Sequence, residues 1–479
     1  MTSLSFLGAA RTVTGSRHLV MHKDMRILID CGLFQGLKEL RRKNWDPFIM
    51  PAGEIDYIIL THAHIDHSGF IPRLVNQGFR GKILSTEITK ELCGIMLKDS
   101  AYLQEEEAKY ANKKGFSKHK PALPLYKVED AVRSMQYFRA IERNEFIELS
   151  PDIKFRFRNA GHILGSSIVE MWIQQNSGRI KIVFSGDLGR MNTPILQDPD
   201  YIREADYLVM ESTYGDRLHP AENPAAQLAP LVKEVYKNRS CLLVPAFAVE
   251  RTQEVIYHLR RLLKKNEIPD IPVYIDSPMA IEVTKLFENH HEIYDKEAAQ
   301  FLYEDGKSLF RAPNIHLVSS QEESKSLNDR RGPMIIISAS GMATGGRILH
   351  HLKERLPDPK NTVLMVGYQA AGTRGRSLLD GAKTLKIHGT FVPVRAKVDS
   401  ISSFSAHADY SEILKWLKGI KKSKPKTVFL VHGENDALLA LDQKIQEQYG
   451  WNCYIPNYKE TVKLGVDEPP PPFTVTYTF

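Results

Sequence analysis

Residues 60–69 read LTHAHIDHSG, placing three histidines and an aspartate within six positions directly after the apolar run Tyr57-Ile58-Ile59-Leu60. A polar loop that merely caps a strand needs no such concentration of imidazole. Imidazole nitrogens and carboxylate oxygens are the donors that zinc takes. In a tight turn after a strand, His62 and His64 can face one ion while Asp66 and His67 turn toward a second. The spacing is not the i, i+4 pair of a helical site, so the strand end has to supply the geometry.

Four other segments end in the same residue types. RILIDCG runs into Asp30, KFRFRNAGH into His162, KIVFSGD into Asp187 and TVFLVHGE into His432. Short apolar runs bounded by glycine or polar residues predict buried strands, and Phe155 and Phe157 alternate as an inward face should. Their carboxyl ends are expected to bring His and Asp to a single edge. TSLSFLG, at the start, reads as a first strand entering a turn. Residues 87–146 read as helices joined by an exposed loop, with helical apolar spacing in TEITKELCGIMLKDSAYLQEEEAKYANKKG followed by a charged, lysine-rich stretch. From about residue 212 the pattern becomes strand–helix units, seen in CLLVPAFAVERTQEVIYHLRRLLKK, VYIDSPMAIEVTKLFENH and MIIISASGMATGGRILHHLKERL. Such alternation predicts a parallel sheet flanked by helices.

The 479 residues suffice for two or three domains, and 42% hydrophobic with 25% charged residues is ordinary globular composition, which excludes disorder and fibres. No stretch approaches the roughly 20 apolar residues of a membrane span, and no basic leader precedes the first strand. Cys31, Cys93, Cys241 and Cys453 are far apart with no CxxC pair, which fits a reducing, cytoplasmic setting rather than a disulfide framework. The net charge of +7 favours polyanionic partners without naming one. The runs YANKKGFSKHK and KGIKKSKPK read as solvated loops rather than binding patches. Of 17 histidines, those outside the strand-end set, apart from His407, read as surface or core residues. His350 and His351, beside a glycine-rich turn, are the least secure of these.

The HxHxDH run followed by His162, Asp187 and His432, in that order, resembles the metallo-β-lactamase superfamily. The resemblance implies His62, His64 and His162 on one zinc, Asp66, His67 and His432 on the other, and Asp187 bridging, with Asp30 supporting the site from behind. Since 245 positions separate Asp187 from His432, most of the intervening chain must be an inserted domain. That arrangement resembles the β-CASP nucleases, whose inserted domain closes over the zinc site. Glu211 matches their motif A, His407 in SFSAHADY their motif B and His432 their motif C. The strings PAFAVERTQE, DSPMA, SASGMATGGR and GYQAAGTRGRSLLDG are similar as well. The implied fold is α/β: an αββα metallo-β-lactamase sandwich from 1–211 and 400–479, with an α/β β-CASP domain at 212–399. The resemblance is close to the RNA-processing branch, which includes the nuclease subunit of the cleavage-and-polyadenylation specificity factor and its bacterial and archaeal relatives. The chain is expected to lack the N-terminal RNA-binding module of the archaeal relatives and the further C-terminal domain of ribonuclease J-like enzymes.

The resemblance implies a zinc-dependent ribonuclease acting on single-stranded RNA through a dinuclear-zinc hydroxide, leaving 5′-phosphate and 3′-hydroxyl ends. Histidine at motif C favours RNA over DNA. Asp66 and Asp187 belong to the metal machinery. His407 is the candidate general acid, oriented and kept protonated by Glu211. Asp409 reads as the N-cap of a following helix. The turn ISASGMATGGR is not a Walker motif. Its residues Ser338, Ser340, Gly341, Thr344, Gly345, Gly346 and Arg347, with Arg374 and Arg376, are candidates to cradle an RNA phosphate. A homodimer is compatible with the resemblance and no membrane contact is expected. The competing readings are a β-CASP DNase, a thioesterase or lactamase on the same fold, and a non-catalytic scaffold in RNA processing.

Overall fold

The computed structural model describes residues 2–465 except 116–118, 221, 307, 368 and 371. The proline cluster at 467–472 and part of the 110–120 lysine run lie outside the described residues. The chain divides into two compact units, one formed by 1–193, 197–218 and 407–479, the other by 194–196 and 219–406.

The first unit is built on two seven-stranded sheets. One runs Glu460–Leu464, Thr2–Phe6, His18–His22, Met25–Ile29, Tyr57–Ile59, Lys82–Ser85, Phe138–Ala140. The other runs Cys453–Tyr454, Thr427–Val431, Tyr207–Glu211, Gly178–Phe184, Ser167–Gln175, Ile153–Asn159, Ile147–Ser150. Alternating side chains of both sheets meet in one core, with Leu4, Val20, Ile27 and Ile59 from the first against Phe155, Phe157, Met171, Ile182, Val209 and Phe429 from the second. Burying side chains of this size contributes about 1.5–3 kcal/mol each. The back of the second sheet is covered by Tyr410–Leu417 and Asn435–Tyr449, through Ile413, Trp416, Leu417, Leu438 and Leu441 on Leu208, Met210, Val428 and Leu430. Asp409 is the N-cap expected of it, accepting from the Ser411 and Glu412 amides. Of the helices read over 87–146, the long one is Glu87–Lys114, begun by the Thr86 hydroxyl on the Thr89 amide and ended by Gly115 in the left-handed region, and a short one is Val128–Ser134. All four cysteines are free and buried.

The strand-end ligands therefore do not come from one edge. Asp30 and the His62 loop leave the first sheet; His162, Asp187, Glu211 and His432 leave the second. Alternation reports which face of a strand is buried, not which sheet it joins, so the sequence alone could not separate the two.

The second unit is a six-stranded parallel sheet in the order Ile315–Leu317, Val273–Ile275, Met334–Ser338, Cys241–Pro245, Thr362–Val366, Lys397–Ile401. Its central strands are buried on both faces, which is why they read as continuous Val/Ile/Leu runs. Helices Arg251–Lys264, Pro278–Asn289 and Ile348–Arg355 complete the strand–helix units. Before the first of them the chain makes a γ-turn: the Arg251 amide bonds Val249 O at 2.9 Å, with Glu250 at φ 72° and ψ −60°. The Glu250 carboxyl is buried and its Oε2 has no hydrogen-bond partner, and burial pushes its pKa up to about 8.

Candidate metal centre

The HxHxDH segment is held by its backbone before any metal is considered. Asp66 O accepts from the Ser16 amide at 2.8 Å, His67 O from the Cys31 amide and Ile65 O from the Leu33 amide. This approach is so close that a Cβ at Gly32 would lie 1.6 Å from Asp66 O. Gly189 plays the same part on the other sheet, where a Cβ would lie 1.8 Å from Gly161 O. Asp66 and His67 sit on the short helix Ile65–Ser68, His62 and His64 on the turn before it.

Around this segment the structure gathers the remaining strand-end residues. Donor atoms of His62, His64, His162 and Asp187 form one group and those of Asp66, His67 and His432 a second, each within 4.8 Å. Asp187 faces both. Its Oδ2 lies 3.4 Å from His62 Nε2 and 3.5 Å from His162 Nε2, while its Oδ1 lies 3.2 Å from His67 Nε2 and 3.6 Å from His432 Nδ1. His64 Nδ1 and His162 Nε2 are 3.3 Å apart, and His67 Nε2 and His432 Nε2 are 3.2 Å apart. Ligands at about 2.0–2.1 Å from a tetrahedral zinc lie about 3.4 Å from one another. The observed spacings match that edge length. His62 Nε2 and Asp187 Oδ1 are also buried without a hydrogen-bond partner, an unfavourable state that a cation resolves. The residues present fit a metal.

Groups behind the donors set their orientation. Asp30, itself in the left-handed region at φ 60°, accepts from His67 Nδ1 at 2.7 Å, from the Thr61 amide at 2.8 Å and from the Thr61 hydroxyl at 3.0 Å. A histidine whose Nδ1 is held by a carboxylate turns its Nε2 toward the metal. Thr61 Oγ1 also lies 3.0 Å from His62 Nδ1, Thr213 Oγ1 lies 3.2 Å from His432 Nδ1, and Ser166 Oγ accepts from the His162 amide at 3.0 Å. The sequence reading passed over these three hydroxyls. Thr61, adjacent to His62, was the most accessible of them.

The electrostatics separate the histidines. Burial drives His64 down to about 3 and lowers His62 and His162, so these three are neutral, the form that coordinates metal. His67 is raised well above the usual range because Asp187 and Asp30 outweigh its burial. Despite burial, Asp66 and Asp187 stay below the ordinary carboxylate range, held there chiefly by His432.

His407 stands beside the first group. Its Nδ1 lies 3.0 and 3.2 Å from the Glu211 oxygens and 4.0 Å from Asp187 Oδ2, and its ring is 4.5 Å from that of His162. Glu211 is buried and also accepts from the Leu188 amide. Burial lowers the His407 pKa, but Glu211 outweighs it and raises the group to about 9.

The glycine-rich turn lies in the second unit. Ser338 donates to Asp276 O, Ser340 Oγ accepts from the Thr344 amide, Gly341 O accepts from Gln369, and Gly346 has φ 81°. A Cβ at Gly345 would meet nothing within 4 Å. The guanidinium groups already have internal partners: Arg347 bonds Asp276 and the Val318 and Ser319 carbonyls, Arg374 bonds three carbonyls, and Arg376 pairs with Asp380. His351 is buried on Asp276 at 2.6 Å, and the His350 ring lies against His388. Among the described residues no helix is long and apolar enough to cross a membrane.

Three family profiles match in sequence: "Metallo-beta-lactamase superfamily" over residues 18–220, "Beta-Casp domain" over 252–378 and "Zn-dependent metallo-hydrolase RNA specificity domain" over 392–456. "Ribonuclease TTHA0252" of Thermus thermophilus is 38% identical over 91% of this chain and 94% of its own length. "Transcription termination factor FttA" of Methanocaldococcus jannaschii is 31% identical over 96% of this chain and 71% of its own. An "RNase J-like protein" of the same organism is 30% identical over 95% and 98%. A crystal structure of a protein of unknown function from Enterococcus faecalis V583 shares the fold, with a TM-score of 0.53 at 13% identity over 96% of this chain and 99% of that one.

Proposed function

We propose, from the premise that this chain belongs to the β-CASP nucleases of the metallo-β-lactamase superfamily, that it is a zinc-dependent ribonuclease cleaving single-stranded RNA. The observation that carries the reading is Asp187, whose two oxygens face two separate groups of donors at zinc-ligand spacing. His62, His64 and His162 are assigned to one zinc, Asp66, His67 and His432 to a second, and Asp187 to both. When bound, the pair supplies charge neutralisation for the phosphoryl oxygens and an acidified water as nucleophile. The same proposal takes 1–211 with 400–479 as the metal-bearing domain and 212–399 as the β-CASP domain. It also keeps the 338–347 turn, through its hydroxyls and backbone amides, as an RNA phosphate cradle.

The chain's own contribution to the reaction is clearest at His407. Cleavage leaves a 5′-phosphate if the departing 3′ oxygen receives a proton, and an imidazolium is the species able to give it. Glu211 holds that proton on His407 and fixes the ring through Nδ1, leaving Nε2 to face the leaving oxygen. Asp30, Thr61 and Thr213 orient the ligating rings, and Ser166 holds the His162 backbone. Site, localisation in the cytoplasm and assembly as a homodimer belong to the same reading.

The test is incubation of the zinc-loaded protein with 5′- and 3′-labelled single-stranded RNA, with DNA of the same sequence and a small thioester in parallel. RNA products carrying 5′-phosphate and 3′-hydroxyl ends, abolished by a chelator and restored by zinc, are expected. Faster turnover of the DNA or of the thioester rejects the ribonuclease reading in favour of that activity.

A further inference from the structure

A second concentration of charge lies in the metal-bearing unit, away from the histidines. With Phe155 and Phe157 in the core, Arg156 and Arg158 must stand on the other face of their strand. Glu170 and Lys181 stand on that same face of the next two strands, where Glu170 is bound by both Arg156 and Lys181. The helices that cover the back of this sheet pack on the strands Tyr207–Glu211 and Thr427–Val431. What they leave is a groove of about 1220 Å³, closed on its other side by residues 201–204 and 415–422.

Eight basic and two acidic side chains line the groove, so its charge is not balanced from within. Both acids are already engaged, Glu170 as above and Glu204 by Lys422 at 2.9 Å. Arg158 pairs with Asp200 outside it. Arg203, Lys415, Lys418 and Lys421 are exposed and have no ion-pair partner among the described residues. Tyr201 is 46% exposed and lies along Gly419, whose added Cβ would come 2.8 Å from the tyrosine ring. Glycine at 419 is thus what lets the Tyr201 side chain come this close at the rim of a basic groove.

We infer that this groove is a second RNA site, in which Arg203, Lys415, Lys418 and Lys421 contact successive phosphates and Tyr201 receives a base. Unpaired cations tracking a backbone, combined with an exposed aromatic face, are the two components of sequence-tolerant single-strand binding. The choice of RNA over an acidic protein rests on the proposed ribonuclease reading and on the tyrosine, which an acidic peptide does not need. Asp187 lies six positions beyond Lys181, past the end of the strand at Phe184, a span of at most about 20 Å. The groove therefore adds affinity only for strands longer than the few nucleotides that the metal cluster itself engages. The lysine run at 418–426, read from sequence as a solvated loop, becomes one wall of a site whose other wall is formed by residues from distant strands.

The test uses the zinc-loaded full chain and fluorescently labelled, cleavage-resistant phosphorothioate RNAs of 30 and 6 nucleotides. Binding is followed by anisotropy across a salt series for the wild type and for a Lys415→Ser/Lys418→Ser/Lys421→Ser variant, whose melting temperature verifies its fold. For the 30-mer, the slope of log affinity against log salt is expected to become shallower by about 2, at about 0.7 per lost single-strand phosphate contact. The hexamer is expected to bind both proteins alike. An unchanged slope for the 30-mer overturns the groove, while RNA cleavage by the wild type keeps the ribonuclease reading standing. A wild type that neither binds nor cleaves RNA overturns both. A poly-glutamate peptide that binds as tightly as the 30-mer, and loses as much in the variant, overturns the assignment to RNA in favour of an acidic protein.

Discussion

Asp30→Asn isolates what the buried carboxylate behind the metal cluster does. Asp30 is 2% exposed and accepts three hydrogen bonds, two from Thr61 and one from His67 Nδ1 at 2.7 Å. With the proton on Nδ1, the His67 Nε2 lone pair points toward Asp187 and His432. An asparagine of the same shape keeps the Thr61 amide bond through its oxygen but turns its NH₂ toward His67. That group donates to Nδ1 and moves the imidazole proton to Nε2, the nitrogen assigned to the proposed second zinc. Losing a hydrogen bond to a charged group costs about 1.5–3 kcal/mol, or roughly 10- to 150-fold in affinity, in line with the 10- to 100-fold typical of groups behind a metal ligand. Zinc affinity at the Asp66–His67–His432 group is therefore expected to fall by about that factor, and at the His62–His64–His162 group to change little. Competition of the metal-free protein against a chromophoric zinc chelator, fitted to two sites, measures both. Wild-type affinity at both sites, or an equal loss at both, would refute the role given to Asp30.

His407→Ala is expected to retain its zinc, by elemental analysis, while RNA cleavage slows by about 10²- to 10⁴-fold; full turnover would remove the proposed acid. For the wild type, cleavage should decline as pH rises through about 9, where His407 loses its proton, and the decline should be absent from whatever activity the alanine variant keeps. Gly32→Ala forces a Cβ against the Asp66 carbonyl at 1.6 Å, and since the three nearest atoms are all backbone, a loss of about 1–3 kcal/mol and of zinc content is expected; an unchanged melting temperature and zinc content would contradict the packing argument. Glu250→Gln tests the buried carboxyl at the γ-turn. Burial pushes its folded pKa up to about 8, above the ordinary carboxylate value of about 4.5, so the folded chain keeps a proton that the unfolded chain has released. Wild-type stability should fall as pH rises from about 4.5 to 8 and stay low above it, by roughly 3–5 kcal/mol. The glutamine variant should lack this slope in denaturant titrations at pH 5 and 9, and parallel curves for the two proteins would argue against the shift.

Much of the centre was legible in the sequence because its chemistry is concentrated in residue types that have few other uses at a strand end. HxHxDH, His162, Asp187 and His432 announce themselves as imidazole and carboxylate after apolar runs, and the structure brings all of them together. Asp409 was readable as an N-cap from its place before a helical pattern. The supporting hydroxyls were not, because Thr61, Ser166 and Thr213 are ordinary residues whose roles exist only through their partners. The groove was unreadable for the same reason: Arg158, Arg203 and Lys418 meet only through sheet register and a helix end. In the second unit, the three-residue strand Ile315–Leu317 is too short and too exposed to carry an apolar signal.

The order of the ligands along the chain bears on how the protein is made. By the time Asp187 has left the ribosome, six of the seven proposed metal ligands exist, but His432 follows only 245 positions later, a delay of about 12–50 s at typical elongation rates. The edge strand Glu460–Leu464, which pairs with Thr2–Phe6, is later still. On the ribonuclease reading, a partly translated chain therefore lacks one proposed ligand of its cutting centre until translation is almost over.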